Sequence, residues 1–273
     1  MNFTVNGEYV ELHGVSDFSL PAIFECGQCF RWNVDGNGVY SGVAFGLALE
    51  ISRRGDDILL KTTERDFREV WFDYFDLDLD YAGIRRLVSI NEHMKTAADF
   101  GAGIRILRQD RWEALCSFII SQCNNIPRIK KIVETLCTLF GEEIAPEKHA
   151  FPSAASIAAL SPEQLAPLRA GYRTKYIIEA ARAVVSGAVD LSELAEYPPV
   201  EALKALKALP GVGDKVASCV LLFGLHQLDA FPVDVWMKKA LAAHFDSDFD
   251  PNVFSPYAGV AQQYIFNYER NGN

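Results

Sequence analysis

A lysine stands where a surface helix would place an acid. In "LPGVGDKVASC" (residues 209–219) the turn Gly211, Val212 and Gly213 leads into a helix-forming run, so Lys215 falls in the first helical turn. That end of a helix is the positive pole of its dipole, where a cation is disfavoured and an anion is welcome. The same field favours the neutral amine, and a neutral amine is a nucleophile. Asp214 beside it acts in the opposite sense, so the residues alone leave the balance open. Nineteen residues on, in "FPVDVWMKKAL", Asp234 follows Pro232 and precedes a periodic run, the place of a helix N-cap. Taken alone, an N-cap explains Asp234 as well as chemistry does. Beside an amine one helix away, its carboxylate can stabilise positive charge or help move a proton while the amine attacks.

The lysine belongs to a larger unit. "VEALKALKALPGVGDKVASCVLLFGL" (200–225) reads as an amphipathic helix, a tight glycine turn and a second helix. The glycines free the backbone for positive φ and let a ligand come close. N–H groups exposed at the second helix start form an anion site that a DNA phosphate fits. The spacing excludes a Walker A loop, which needs G-x-x-x-x-G-K-[ST]. A plain helical hairpin inside a core is the simpler alternative for this segment taken alone.

The rest of the chain must position these groups. Residues 1 to about 70 read as antiparallel strands. "FRWNVDGNGVYSGV" sets Asp-Gly and Asn-Gly turn pairs between aromatic and β-branched runs, and "LALEISRR" and "DILLKTT" continue the meander. After "WFDYFDLD" the pattern turns helical, with 3–4 apolar spacing in "RWEALCSFIISQC", "RIKKIVETLCTLF", "TKYIIEAARAVV" and "VWMKKALAAHF". "SPEQ" at 161–164 has the form of a helix start, with an N-cap Ser, Pro at N1 and Gln at N3. The fold class expected is α+β: an N-terminal antiparallel sheet domain over 1–98, then an all-helical body over 99–273 that holds the helical hairpin at about 200–225.

Composition narrows the function classes. The 273 residues are 49% apolar and 23% charged, as in ordinary globular proteins. No basic segment followed by an apolar run opens the chain, and no stretch reaches the roughly 18 apolar residues of a membrane span. Six cysteines without framework spacing read as reduced thiols in a cytoplasmic protein. The net charge of −10 is unevenly spread: residues 103–240 hold 16 Lys and Arg against 15 Asp and Glu, net +1, and the remainder 10 against 21, net −11. Phosphate contact depends on the local patch, so the acidic total argues only weakly against nucleic acid. The five histidines, His13, His93, His149, His226 and His244, are scattered, and Cys26-x-x-Cys29 lacks a partner pair, which disfavours a zinc deaminase or hydrolase.

With these residues in hand, "LPGVGDKVASC" followed by "PVDVW" resembles the helix-hairpin-helix, Gly-Pro-Asp signature of base-excision DNA glycosylases. "GQCFRW" (27–32), "GIRILRQD" (103–110), "FIISQCNNIPRI" (118–129), "AGYRTKY" (170–176) and "YAGVAQQYIF" (257–266) resemble, in order, the 8-oxoguanine DNA glycosylase branch. A four-cysteine iron–sulfur signature is absent from the C-terminal part.

The resemblance implies a bifunctional glycosylase and abasic-site lyase acting on a flipped-out nucleotide. Lys215 matches the nucleophile that attacks C1′ and forms a Schiff base, and Asp234 the aspartate that stabilises the oxocarbenium-like sugar. 8-Oxoguanine carries N7–H where guanine has an acceptor, so a backbone carbonyl aimed at N7 attracts the lesion and repels guanine. Gly27 matches that carbonyl, and such polar mismatches discriminate by roughly 10⁴-fold. Gln262 matches the reader of the Watson–Crick edge, Phe266 a stacking wall, and Cys219, at i+4 from Lys215, a pocket cysteine. Asn124 and Asn125 match the loop that fills the vacated space. Arg128 and Arg173 match contacts to the estranged cytosine, and Tyr172 the wedge. Gly211, Val212 and Gly213 form the phosphate-binding hairpin. No cofactor and no catalytic metal is implied, although the hairpin carbonyls leave room for a structural cation. The implied partner is duplex DNA carrying 8-oxoguanine opposite cytosine, bound by a monomer of prokaryotic type in the cytoplasm, on the nucleoid, without a membrane. Cys123 and Trp236 depart from the family pattern, where an asparagine and a histidine stand, and this opens the question of opposite-base selectivity. Another hairpin glycosylase with a different lesion, or a non-catalytic hairpin DNA binder, are the competing readings.

Overall fold

The computed structural model describes residues 2–272. Six strands form an antiparallel sheet in the order β1-β2-β6-β5-β4-β3: β1 (Asn2–Asn6), β2 (Tyr9–His13), β3 (Asn33–Val34), β4 (Tyr40–Ala44), β5 (Leu47–Arg54) and β6 (Asp57–Lys61). The β3–β4 turn is set by Asp35, whose Oδ1 accepts from the amides of Asn37 at 2.8 Å and Val39 at 2.9 Å. Register aligns Val10, Leu60, Ile51 and Tyr40 in one buried row across four strands, and a one-residue slip would turn that row to solvent.

Two helical pieces interrupt the stretch expected as strands. α1 (Leu20–Phe24) begins at Ser19 with Pro21 in its first turn. Residues 64–74 form a continuous helical segment from α2 (Glu64–Asp66), a π-turn (Phe67–Trp71) and α3 (Phe72–Tyr74). Thr63 starts it by accepting from the Asp66 amide at 3.0 Å. Phe67, Trp71 and Phe75 then recur at helical spacing and lie fully buried against the sheet. Helical period outweighed β-propensity there.

The remaining helices are α4 (Tyr81–Val88), α5 (Glu92–Phe100), α6 (Arg111–Ser121), α7 (Ile126–Phe140), α8 (Ala154–Ala158), α9 (Arg173–Val185), α10 (Leu191–Leu194), α11 (Pro199–Lys207), α12 (Asp214–Phe223), α13 (Val235–His244) and α14 (Ala258–Asn271). A small two-stranded ribbon, β7 (Glu143–Ala145) and β8 (Lys148–His149), follows α7. α6 is the central rod. Its residues 114–120 are all buried, and α7, α9 and α12 pack around it. The helix start expected at 161 is a correction: Ser161 to Gln164 make only a turn, followed by a 3₁₀ segment at Ala166–Leu168. The Gln164 side chain does reach the Ser161 amide, at 2.9 Å. Pro167 lacks the N–H that an α-helix running on from 161 would need at that position.

Two buried clusters divide the molecule. One joins the sheet, α1 and the 64–74 helix around Trp32, Trp71 and Phe75. The other begins at Tyr81 and runs through α14, with Cys26 and Phe30 inserted from the N-terminal part. Asp76 sits at the joint, fully buried with φ +50°. Its carboxylate accepts from Arg108 Nε at 2.7 Å and the Tyr81 hydroxyl at 2.8 Å, and His226 Nε2 lies 3.2 Å away. Arg105, also buried, donates to the backbone carbonyls of Asp76, Asp17 and Ser16.

Candidate active site

The glycine turn places Lys215 as expected. Gly211 has φ +78°, and a Cβ there would lie 2.2 Å from the Tyr176 ring, so no other residue fits between α11 and α12 without displacing α9. Gly213 is the N-cap of α12 and offers no side chain to the first-turn N–H groups, which stay free for an anion. Val212 between them is buried and anchors the turn. Asp214 is exposed and pairs with Lys207 at 2.5 Å. Lys215 turns inward instead. Its Nζ donates to Ser121 Oγ at 3.2 Å and stands 5.5 Å from the centroid of the Phe118 ring. The Ser121 hydroxyl donates to the Phe118 carbonyl at 2.8 Å, which leaves its lone pair to the amine.

Asp234 is the N-cap of α13, with Oδ1 accepting from the Met237 amide at 2.9 Å. This fixes the carboxylate, which lines the same cavity as Lys215. Cys219, one turn below Lys215, is 4% exposed. Burial pushes its thiol pKa up, partly offset by the Lys215 charge, so it remains a protonated wall group.

The opposite wall comes from segments far away in sequence. Gly27 has φ +89°, and a Cβ would meet Ile126 at 3.3 Å and Phe266 at 3.6 Å. Its position is strapped by Gln28, which is wholly buried. Gln28 Nε2 donates to the carbonyls of Ile23 (2.9 Å) and Arg105 (2.8 Å), and its Oε1 accepts from the Leu107 amide at 2.9 Å. Gln109 closes the clamp by donating to the Gln28 carbonyl at 2.8 Å. "GQCFRW" and "GIRILRQD" are therefore two halves of one clamp. α14 contributes Gln262 and Phe266, one turn apart on one face. Gly27, Lys215, Cys219, Asp234, Gln262 and Phe266 all line a single cavity of about 50 Å³.

The loop before α7 divides its labour. Asn125 is the N-cap, accepting from the Arg128 amide at 3.0 Å. Asn124 Nδ2 donates to the Ile120 carbonyl at 3.1 Å. Arg128 is exposed, with Nη2 on the Arg169 carbonyl at 3.0 Å. Arg173, expected beside the estranged base, lies 4% exposed beneath the loop. It donates to the carbonyls of Ala170, Gln122 and Cys123, and Tyr172, 52% exposed, covers its guanidinium at 4.6 Å. Cys123 projects from this loop with φ +46° and is exposed. Trp236 is exposed on the first turn of α13, with Lys239 Nζ 5.4 Å from its ring.

Four cavity residues have no place in the sequence reading: Phe118, Phe223, Pro232 and Gln263. Phe118 and Phe223 stack at 5.2 Å. Gln263 Nε2 donates to Gln262 Oε1 at 3.0 Å, so one buried amide orients the next. The available signal was the pair of adjacent amides inside the apolar run "YAGVAQQYIF".

Comparison with known proteins identifies the family. The family described as "8-oxoguanine DNA glycosylase, N-terminal domain" matches residues 12–115, and "HhH-GPD superfamily base excision DNA repair protein" matches residues 116–252. The N-glycosylase/DNA lyase OGG1 of Arabidopsis thaliana is 30% identical over 276 residues, covering 93% of this chain and 74% of the plant protein. Two solved structures superpose with a TM-score of 0.94. One is MBOgg1 in complex with a low-affinity DNA ligand, 41% identical over 99% of this chain and 98% of that one. The other is the Clostridium acetobutylicum 8-oxoguanine glycosylase/lyase bound to double-stranded DNA with cytosine opposite 8-oxoG. It is 35% identical over 100% of this chain and 99% of that one.

Proposed function

This chain belongs to the 8-oxoguanine DNA glycosylase family of the helix-hairpin-helix Gly-Pro-Asp superfamily, and from that premise we propose how its own residues do the work. The protein is a DNA glycosylase and lyase of base-excision repair that acts on 8-oxoguanine in duplex DNA. One observation carries the assignment of roles. Six residues spread from position 27 to 266 line one cavity, an amine and a carboxylate among them.

In this reading Lys215 Nζ attacks C1′ of the flipped nucleotide. The N-glycosidic bond breaks, and its electron pair leaves with the base, which takes up a proton. The nitrogen, now bonded to C1′, gives up one of its two protons, and its lone pair then opens the sugar ring as O4′ takes up a proton, giving a protonated Schiff base. Loss of a C2′ proton expels the 3′ phosphate by β-elimination. Asp234, held by the Met237 amide, stabilises the positive charge that builds on the sugar. Ser121 holds the lysine in register before attack. The Gly27 carbonyl takes the N7–H of the lesion, Phe266 stacks on the base, and Gln262, oriented by Gln263, reads its Watson–Crick edge. Arg128 faces the estranged cytosine, Tyr172 wedges the stack, and Arg173 keeps the Gln122–Asn125 loop in shape from below. The α12 N-terminus takes a phosphate.

No helix among the described residues is long and apolar enough to cross a membrane. The six free cysteines support a reducing, cytoplasmic setting, and we read the protein there as a monomer bound to nucleoid DNA.

The test is borohydride trapping on a duplex with one 8-oxoguanine opposite cytosine, with unmodified guanine as control. The wild-type chain is expected to form a covalent adduct on the lesion strand alone. Lys215→Gln is expected to form none while still binding the lesion duplex. An adduct that persists in Lys215→Gln would remove Lys215 from the nucleophile role.

A further inference from the structure

Three groups that the repair chemistry does not use converge where α5, α13 and α14 meet. His93 lies in the first turn of α5, His244 ends α13, and Glu269 is in the last turns of α14. The two histidines are 151 positions apart in sequence, yet their rings stack with centroids 3.9 Å apart and planes 12° apart. Both Nε2 atoms approach the same oxygen, Glu269 Oε1, at 3.5 Å from His93 and 3.4 Å from His244. His93 Nε2 and Glu269 Oε1 are buried, and neither makes a hydrogen bond. A buried nitrogen and a buried oxygen at this separation, neither of them hydrogen-bonded, are free to share an electrophile between them.

We propose that His93, His244 and Glu269 form a binding site for a divalent transition-metal ion of the zinc type. A tetrahedral ion bonded at about 2.0–2.1 Å separates its ligands by about 3.3–3.4 Å, close to the two nitrogen–oxygen distances observed. Two imidazoles and one carboxylate suit zinc, cobalt or nickel, whereas calcium and magnesium take mainly oxygen ligands. His244 is the more exposed histidine, with 39% of its side chain accessible. It supplies both the access path and the freedom to turn about its Cβ–Cγ bond, which directs its lone pair to the ion and opens the stack. Phe245 and Tyr268 stand edge-on to His93 at 5.8 Å and wall off its other side. A water completes the coordination.

The site takes no part in base excision. Asp234 caps one end of α13 and His244 closes the other, about 15 Å away along the axis. Glu269 follows Gln262 by two turns on α14. An ion here ties the far ends of the two helices that carry Asp234 and Gln262 to α5, and so acts as a structural staple.

The experiment uses the full chain stripped with chelator. Calorimetric titration with zinc and optical titration with cobalt(II) are expected to show one saturable site, with the d–d absorption of four-coordinate cobalt. Zinc at a hundredfold excess over Kd is expected to raise Tm by about 5 °C. His244→Ala, at a half-exposed position that tolerates truncation, should lose the binding, the spectrum and the Tm rise while keeping the metal-free Tm. Cys123→Ser should retain all three, which separates this site from the exposed thiol. The proposal fails if no one-to-one site appears, if binding survives in His244→Ala, or if it disappears with Cys123→Ser.

Discussion

Asp234 holds two positions at once. Its Oδ1 caps α13 through the Met237 amide, and its carboxylate faces the cavity that Lys215 lines. The roles separate by substitution, because asparagine caps a helix about as well as aspartate but carries no charge. Asp234→Asn is therefore expected to leave Tm nearly unchanged while slowing single-turnover excision by about 10²–10⁴-fold. Asp234→Ala should add a loss of roughly 1 kcal/mol of stability from the missing cap. If Asp234→Asn excises at the wild-type rate, the carboxylate is a cap and no more. The sequence neighbour of Lys215, Asp214, pairs with Lys207 and does not line the cavity. The amine faces a hydroxyl and an aromatic ring instead.

At the scale of elements, α6 links the helical body to the N-terminal part through an ion pair. Its Glu113 lies 3.6 Å from Arg31, which follows the "GQCF" turn and donates to the His149 carbonyl. Burial pushes the Glu113 carboxyl up to about 7, and Arg31 only partly offsets this. A raised acid holds a proton in the folded chain that the unfolded chain has released. Its sign is thus destabilising: the cost appears as pH rises above about 4.5 and is complete above about 7. Urea unfolding of the wild type at pH 5 and pH 8 should therefore differ more than that of Glu113→Gln, by up to about 3 kcal/mol. Equal pH dependence in the two proteins would show that Glu113 ionises freely on folding.

The whole molecule is joined at Asp76. Burial pushes its carboxyl up, but His226, the Tyr81 hydroxyl and Arg108 outweigh that and hold it below the ordinary aspartate range. The sign is opposite to that of Glu113. Asp76 contributes stability at pH above about 3.8, and the contribution is lost as pH falls through the lower folded value. Asp76→Ala would leave the buried Tyr81 hydroxyl without its acceptor and part Arg108 from its carboxylate, and is expected to cost about 2–3 kcal/mol at pH 7, read from the urea midpoint. A loss within 1 kcal/mol would mean that the two clusters hold together by apolar packing alone. Phe118, Cys219, Phe223 and Phe266 of the cavity belong to the cluster of the helical body, and Gly27 reaches it from the N-terminal part, so excision should fall in parallel with the loss of folded protein and not before it.

What the sequence determined by itself was local. The Gly-Val-Gly turn, the N-caps at Asp234 and Asn125, the β3–β4 hairpin and the amphipathic helices are all read from neighbours within a few positions, because turn chemistry and helical period act at that range. Lys215 and Asp234 were legible for the same reason, and the quoted motifs placed the family. The failures at 64–74 and at 161 are also local, a helical period taken for strand and a Pro167 whose missing N–H stopped a helix. Only the tertiary structure decided which distant groups meet. It set Arg173 under its loop, made Gln28 and Gln109 a clamp on Gly27, and set Gln263 against Gln262. It also drew two scattered histidines onto Glu269. These contacts span from 1 to more than 150 residues, and what selects them is burial: a polar group taken from water must find its partner wherever the packed helices place one.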